Sequence, residues 1–211
     1  MNVEDAYNVW AHQYDTNENK TRDLEAVSLR ATLQNVNFEN CLEIGCGTGK
    51  NTEWLITKAN DIVSVDLSGE MLAKAKSKIQ SNKVSFIQAD VNNDWNFANT
   101  EKFDLVIFSL VLEHVKDLEM IFEKLSTVTK NNAYVYIGEL HPFKQYTGTK
   151  ARFEAGNGLQ VVPCFNHNIS DFTIAAKRNG FQLVELTEYF DEDNRNNLPR
   201  ILTLLLQKLS A

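Results

Sequence analysis

Paired cysteines, long apolar runs and excess positive charge are all missing from this chain of 211 residues. Its three cysteines, Cys41, Cys46 and Cys164, form no Cys-x-x-Cys pair, which argues against a disulfide framework or a zinc knuckle. No apolar run approaches the roughly 20 residues that a membrane-spanning helix needs. The formal net charge of −7 weighs against a basic surface for nucleic acid.

Length and composition predict one globular domain. The chain is long enough to bury a sizeable core, and its 43% hydrophobic residues are ordinary for a globular protein. Residues 1–5 show no basic segment followed by an apolar one, so we expect no signal peptide. Together with the unpaired cysteines, this predicts a cytoplasmic protein.

Short apolar runs alternate with helical patterns through most of the chain. Seven runs predict strands: 42–44, 62–65, 84–87, 103–108, 133–140, 182–189 and 200–209. Helices are predicted after the first, second and fourth runs, and such repeated βα units imply a parallel sheet with helices on both faces. The last two runs have no helix between them and should pair antiparallel.

The segment 43–49, Glu-Ile-Gly-Cys-Gly-Thr-Gly, follows from the first predicted strand. Gly45, Gly47 and Gly49 have no Cβ atom to keep a ligand away from the backbone. Asp66 stands at the tip of the second predicted strand, where a carboxylate suits the two hydroxyls of a ribose. This spacing predicts a nucleoside-type cofactor.

Four segments in this order resemble the class I S-adenosylmethionine-dependent methyltransferases that act on small molecules. They are the glycine turn, Asp66, the Ala-Asp-Val segment 89–91 and the region from 103–106 to 109–115. The resemblance covers almost the whole chain and implies a single methyltransferase domain over 1–211. It implies a Rossmann-like, doubly wound α/β fold: a seven-stranded, mostly parallel sheet with an antiparallel final strand and helices on both faces.

The resemblance also implies which residues hold S-adenosylmethionine and its product, S-adenosylhomocysteine. The turn backbone would face the amino acid end of the cofactor, and Asp66 would accept hydrogen bonds from the ribose. Asp90 would accept from the adenine amino group, Val91 would offer its backbone N–H, and Tyr14 would close over the methionine part. The candidate cofactor-binding residues are Tyr14, Glu43, Gly45, Cys46, Gly47, Gly49, Asp66, Leu67, Asp90, Val91 and Ser109.

Two segments outside the predicted sheet are expected to cover the site. Residues 1–36 show helical spacing of aromatic residues at Tyr7, Trp10 and Tyr14. Residues 142–168 show no period, and long irregular segments are often functional. By resemblance, the first segment would form a lid and the second an acceptor-side insert.

Three histidines are candidates for the base that an oxygen acceptor needs, because an imidazole titrates near neutral pH. His141 follows the fifth predicted strand and His167 follows the insert, although a structural or surface role is the commoner one for such a histidine. His114 is a weaker candidate. The pair Glu113-His114 is similar to metal-dependent relatives, but these carry a second glutamate three positions earlier, where this chain has Leu110. We therefore expect no metal.

Two other functions are compatible with the glycine turn. A nicotinamide-dependent oxidoreductase shares the turn and the ribose acid, although its spacing is Gly-x-Gly-x-x-Gly. A module that binds S-adenosylmethionine without catalysis would carry the same motifs. No Asn/Asp-Pro-Pro-Tyr/Phe segment or Pro-Cys pair follows the fourth predicted strand, which disfavours nucleic-acid bases as acceptors. The expected acceptor is therefore a small molecule, methylated on oxygen or nitrogen.

Overall fold

The computed structural model describes residues 1–98, 102–156 and 158–210, in which seven α-helices and nine strands form. The expected domain also includes positions 99–101, 157 and 211, which lie outside the described residues. Of these, position 157 belongs to the expected insert. The helices are α1 Val3–Trp10, α2 Lys20–Leu33, α3 Thr52–Leu55, α4 Gly69–Lys78, α5 Leu118–Val128, α6 Pro142–Tyr146 and α7 Ile169–Arg178. The strands are β1 Asn40–Ile44, β2 Asp61–Asp66, β3 Val84–Gln88, β4 Phe103–Ser109, β5 Thr129–Leu140, β6 Arg152–Ala155, β7 Gly158–Val161, β8 Phe181–Tyr189 and β9 Ile201–Lys208.

Seven of these strands form one sheet in the order β3-β2-β1-β4-β5-β9-β8. Strands β1 to β5 pair in parallel, whereas β9 runs antiparallel to both β5 and β8. The predicted seven-stranded, mostly parallel sheet with an antiparallel final strand is confirmed. The final strand lies inside the sheet, between β5 and β8. Its reversal follows from the β8–β9 connection, which has no crossover helix of the kind that parallel strands need.

Alternate residues of the central strands pack into two separate hydrophobic cores. Val106 and Phe108 of β4 pack with the helices α5 and α7, whereas Leu105 and Ile107 pack with α2. Because side chains alternate across a strand, the two cores lie on opposite faces of the sheet. The helices on both faces, expected from the βα repeats, are confirmed.

Side-chain caps fix where the helices near the sheet edge begin. Ser68 Oγ accepts from the Met71 N–H at the start of α4, and Asp117 accepts from the Met120 N–H at the start of α5. Such caps contribute about 1 kcal/mol each. They place the first turns of both helices beside the carboxyl ends of the strands, where open α/β sheets bind ligands.

The N-terminal helix and a small hairpin form a third cluster above that edge. Strands β6 and β7 pair antiparallel as a separate two-stranded sheet, which the sequence analysis did not predict. The buried residues of this cluster are Ala6, Trp10, Ala11, Met71, Phe153 and Val162. Among the described helices, none combines the length and the apolar character that crossing a membrane requires.

Candidate functional site

A cavity of about 380 Å³ lies at the carboxyl ends of β1, β2 and β4, partly covered by α1. Its volume is within the range of small-molecule and cofactor sites. The predicted site residues that line it are Tyr14, Gly45, Gly47, Asp66, Leu67, Asp90, Val91, Ser109 and His114. Nine predicted residues from separate segments of the sequence therefore meet in one cavity.

The glycine turn has a backbone that few other residues adopt. Gly45 has φ +76° and Gly47 has φ +53°, both in the left-handed region. A Cβ atom on Gly45 would lie 1.8 Å from Val111 Cγ2, so no side chain fits there. The turn therefore brings bare backbone to the cavity wall.

Asp66 holds the glycine turn as well as lining the cavity. Its carboxylate accepts the Gly47 N–H through Oδ2 and the Ser68 N–H through Oδ1, each at 2.8 Å. Burial raises the pKa of this carboxyl, and the two N–H groups act in the opposite direction. The predicted ribose acid and the predicted turn thus form one hydrogen-bonded unit.

The segment after β3 is also fixed by hydrogen bonds. Asp90 Oδ1 accepts both the backbone N–H and the side-chain amide of Asn92 at 2.8 Å. The Val91 carbonyl accepts from the Trp95 indole at 3.0 Å and from the Lys124 ammonium at 3.1 Å. These bonds hold the segment that carries Asp90 and Val91 to its own turn and to Lys124 of α5.

Three predicted cofactor residues do not line the cavity: Glu43, Cys46 and Gly49. Glu43 is only 2% exposed, and its Oε2 accepts from the hydroxyls of Thr52 and Ser64 at 2.6 and 2.8 Å. Burial raises the pKa of this carboxyl to about 7. Glu43 therefore joins β1, β2 and α3 beneath the turn.

Two of the candidate bases, His141 and His167, are likewise absent from the cavity wall. His141 is fully buried, and its Nδ1 accepts the Phe143 N–H at the start of α6. Its Nε2 therefore carries a proton, which it donates to Glu188 at 3.0 Å. His167 Nε2 donates to the Val115 carbonyl at 2.7 Å. Hydrogen bonds within the protein thus occupy both imidazoles.

His114 is the candidate base that the structure brings to the cavity. Its Nε2 lies 2.8 Å from the Tyr7 hydroxyl, and its Nδ1 lies 2.7 Å from the Pro163 carbonyl oxygen. Tyr7 also lines the cavity, but the sequence analysis did not name it as a site residue. The aromatic spacing of α1 pointed to Tyr7, yet the same spacing describes a helix packed on a core.

A buried carboxylate shapes the loop that carries His114. Glu139, at the end of β5, accepts the backbone N–H groups of Val111 and Leu112 at 2.9 and 2.8 Å. Burial raises the pKa of Glu139 to about 8, and the neighbouring Glu113 acts in the same direction. Leu110 in this loop has φ +56°. The end of β5 thus sets how the loop after β4 enters the cavity.

The spacing Tyr-x-x-x-Lys of many nicotinamide enzymes does occur in the chain, at Tyr146 and Lys150. Neither residue lines the cavity, and the Tyr146 hydroxyl donates to Asn168 at 2.6 Å. This pair therefore lies outside the cavity that the glycine turn lines.

Known proteins resemble the chain in sequence. A family model described as a methyltransferase domain matches residues 42–137. A ubiquinone biosynthesis O-methyltransferase of Pelagibacter ubique (strain HTCC1062) is 27% identical over 86% of this chain and 69% of that protein. A malonyl-[acyl-carrier protein] O-methyltransferase of Hamiltonella defensa is 26% identical over 65% of this chain and 52% of that protein. The chain thus spans between about half and two thirds of these two relatives.

Solved structures resemble it in fold. An S-adenosylmethionine-dependent methyltransferase from Listeria monocytogenes has a TM-score of 0.76 at 19% identity, covering 89% of this chain and 99% of that one. The N-methyltransferase NodS from Bradyrhizobium japonicum, solved with S-adenosyl-L-homocysteine, has a TM-score of 0.73 at 16% identity, with 99% of each chain covered. The family-model match and the fold of these structures are consistent with the class I S-adenosylmethionine-dependent methyltransferases, which the order of the motifs in this chain also resembles.

Proposed function

We propose that the protein transfers a methyl group from S-adenosylmethionine to an oxygen or nitrogen of a small molecule, and that Tyr7 and His114 remove the acceptor's proton. The observation that carries this proposal is the 2.8 Å hydrogen bond between the Tyr7 hydroxyl and His114 Nε2 in the cavity wall. A proton must leave a hydroxyl or amine acceptor during transfer, so a base at this place has a defined task.

The hydrogen bonds of His114 determine its tautomer. A carbonyl oxygen only accepts, so the bond to Pro163 requires the proton on Nδ1. In the neutral imidazole, Nε2 is then the acceptor, and the Tyr7 hydroxyl donates to it. Burial raises the pKa of Tyr7 well above its ordinary value, so the phenol stays neutral. Tyr7 can pass its proton to His114 as it takes one from the acceptor.

The proton and the charge balance in this scheme. Bound S-adenosylmethionine supplies an electrophilic methyl group on a sulfonium ion. The acceptor gives its proton to the Tyr7 oxygen, the Tyr7 proton moves to His114 Nε2, and the positive charge ends on the imidazolium. The Pro163 carbonyl and the Glu113 carboxyl, whose Oε1 lies 3.9 Å from Nε2, stabilise that charge. Alignment of acceptor and methyl contributes about 7–11 kcal/mol in such reactions.

The cofactor-binding roles are part of the same proposal. The backbone of Gly45 and Gly47 would face the amino acid end, the Asp66 carboxylate the ribose, and Asp90 with the Val91 N–H the adenine. Their support is their shared position on the cavity wall. Glu43, Cys46 and Gly49 would hold the turn from behind, because none of them reaches the cavity.

Residues 1–36 would act as a lid and residues 142–168 as the acceptor-side insert. Their support is the shared cluster in which Trp10 of α1 packs against Phe153 of β6. The net charge of −7 supports a small-molecule acceptor over nucleic acid. The free thiols of Cys41, Cys46 and Cys164 support a cytoplasmic location.

Single-turnover and steady-state methyl transfer would test the relay, once a panel of hydroxyl, carboxyl and amine compounds has supplied an acceptor. Tyr7→Phe and His114→Gln should each lower kcat by about 100-fold, at the low end of what a general base contributes. Affinity for S-adenosylhomocysteine, measured by calorimetry, should change by less than about threefold. His167→Gln is the matched control and should retain wild-type kcat.

Three results would contradict the proposal. Wild-type kcat in both Tyr7→Phe and His114→Gln would reject the proposed proton relay but not the proposed methyltransferase activity. Turnover with no acceptor class, despite tight cofactor binding, would favour the non-catalytic module. Binding of NAD in place of S-adenosylhomocysteine would favour the oxidoreductase.

A further inference from the structure

Three side chains that bind metals in other proteins meet beside the cavity. Glu113 and His114 lie in the loop after β4, and Cys164 lies between β7 and α7. One ligand atom of each lies within 4.8 Å of the other two. The sequence analysis found only one carboxylate and one imidazole here. Cys164 supplies the third donor, from a position 50 residues further along the chain.

Backbone contacts hold the two loops together. The Phe165 N–H donates to the Glu113 carbonyl at 2.7 Å, and His114 donates to the Pro163 carbonyl at the same distance. Cys164 lies between these two anchors, with its Sγ 3.9 Å from His114 Nδ1. The three donors are thus preorganised, and an ion between them would require little movement of the chain.

The carboxyl of Glu113 lacks a hydrogen-bond partner at one oxygen. Glu113 is 5% exposed, and the Cys164 thiol is the one described side chain that hydrogen-bonds to its carboxyl, whereas its Oε2 has no partner at hydrogen-bond distance among the described residues. Leaving such a buried acceptor unpaired destabilises the folded protein. Since native proteins satisfy most buried polar atoms, this oxygen is the observation that points to a ligand.

We propose that Glu113, His114 and Cys164 bind one thiophilic divalent cation, with Zn²⁺ as the best match, and that this ion inhibits methyl transfer. One sulfur, one nitrogen and one oxygen donor suit Zn²⁺ and disfavour Mg²⁺ and Ca²⁺, which prefer oxygen ligands. Three protein ligands leave a fourth tetrahedral position for water. On binding, the Cys164 thiol loses its proton to solvent and the sulfur–metal bond forms.

The proposed inhibition rests on the proton relay proposed above. It is expected whether the ion binds Nε2 or Nδ1 of His114. An ion on Nε2 displaces the Tyr7 hydroxyl from the lone pair that accepts its proton. An ion on Nδ1 breaks the bond to Pro163 and moves the imidazole proton to Nε2, which then no longer accepts. In both cases His114 stops acting as a base, so the ion is an inhibitor and the enzyme needs no metal for turnover.

Binding is tested first, without any activity measurement. Chelator-treated protein is titrated with Zn²⁺ by calorimetry in two buffers of different ionisation enthalpy, and with Co²⁺ by absorption spectroscopy. We expect one ion per chain, release of a proton, and a thiolate-to-cobalt charge-transfer band. Cys164→Ser and Glu113→Gln should each weaken the affinity by at least about 10-fold. Cys46→Ser, which removes a thiol outside the cluster, should retain both affinity and band.

Thermal unfolding of each metal-free variant is measured as a control, to check that the variant is folded. Zn²⁺ should also raise the melting temperature of the wild type but not that of Cys164→Ser. No saturable binding, or equal binding by the wild type, Cys164→Ser and Glu113→Gln, would overturn the proposed site.

Inhibition is tested separately, with each protein compared with its own activity in excess chelator. Zn²⁺ should lower wild-type turnover by at least 10-fold and chelator should restore it, whereas Cys164→Ser should require at least 10-fold more Zn²⁺. An ion that binds without changing turnover would reject the inhibition and leave the site. Failure to find any methyl transfer would reject the proposed function, but the binding titrations would still decide the site.

Discussion

Trp10 and Phe153 stack with their ring centroids 5.1 Å apart and their planes inclined by only 14°. The indole belongs to α1 and the phenyl ring to β6, so this one contact joins the N-terminal helix to the hairpin. Both rings are more than nine-tenths buried, and Tyr7, which lines the cavity, also stacks on Trp10, with ring centroids 5.6 Å apart. Ring contacts through Trp10 therefore connect the cavity wall to the hairpin.

Phe153→Ala should loosen this cover. Removing a buried phenyl ring costs about 3–5 kcal/mol, and here most of the cost falls on the contact between α1 and the hairpin. We expect faster amide hydrogen exchange over residues 3–14 and 152–161, with exchange in β4 and β5 unchanged. Affinity for S-adenosylhomocysteine should fall by about 10-fold. Leu159→Ala is the control, because Leu159 lies in the same hairpin but is 53% exposed. It should alter neither the amide hydrogen exchange nor the affinity for S-adenosylhomocysteine. Unchanged exchange in Phe153→Ala would show that the stack does not hold the cover.

Asp66→Asn should weaken cofactor binding by about 10–100-fold, because hydrogen bonds to a charged group contribute roughly 1.5–3 kcal/mol. An asparagine also presents an NH₂ group to one of the two N–H donors, Gly47 and Ser68, that the carboxylate now binds. Calorimetric titration with S-adenosylhomocysteine measures the effect. Asp61→Asn, at the exposed opposite end of β2, should bind as the wild type does. Equal affinities for the two variants would remove Asp66 from the site.

Glu43 should make the protein less stable as pH rises through neutrality. Burial raises the pKa of its carboxyl from 4.5 to about 7, so the folded state holds this proton more tightly than the unfolded state. The resulting stability is fully present below pH 4.5 and is lost as pH rises through about 7. The loss is on the order of 3 kcal/mol.

Denaturant unfolding at pH 5 and pH 8 measures this contribution. The free energy of unfolding of the wild type should fall more between the two pH values than that of Glu43→Gln, whose amide does not titrate. Using the difference between the two proteins removes the contributions of buried carboxyls that do not interact with Glu43, such as Glu139. Parallel pH profiles would show that Glu43 titrates as it does in the unfolded chain.

The sheet could be predicted because its signals are local. The apolar runs, the cap at Ser68 and the turn at Gly45 each act within a few residues, and the repeat of strand and helix then restricts the topology. The hairpin β6–β7 escaped prediction for the same reason. Its strands have four residues each, and Phe153 is the only buried residue among their described positions, whereas Leu159 and Val161 are exposed, so the buried face is too short to produce a recognisable alternating pattern.

The site was predicted in part, because the cofactor motifs are local and the proposed base is not. Tyr7 and His114 are 107 positions apart, and only the folded chain shows that they share a hydrogen bond. His141 was a candidate base because it follows β5, yet its ring caps α6. The proline that follows it, at the first position of that helix, was the local signal for a capping role.

Strand β9 has a consequence for how the protein is made. Synthesis proceeds from the N-terminus, so β1 to β5 emerge from the ribosome before β9, the strand that pairs with β5, has been made. Until Ile201–Lys208 arrives, β5 presents an open row of backbone N–H and carbonyl groups, and β8 has no neighbour with which to join the sheet. The nascent chain therefore passes through a stage with an exposed apolar edge, when binding by a chaperone competes with aggregation.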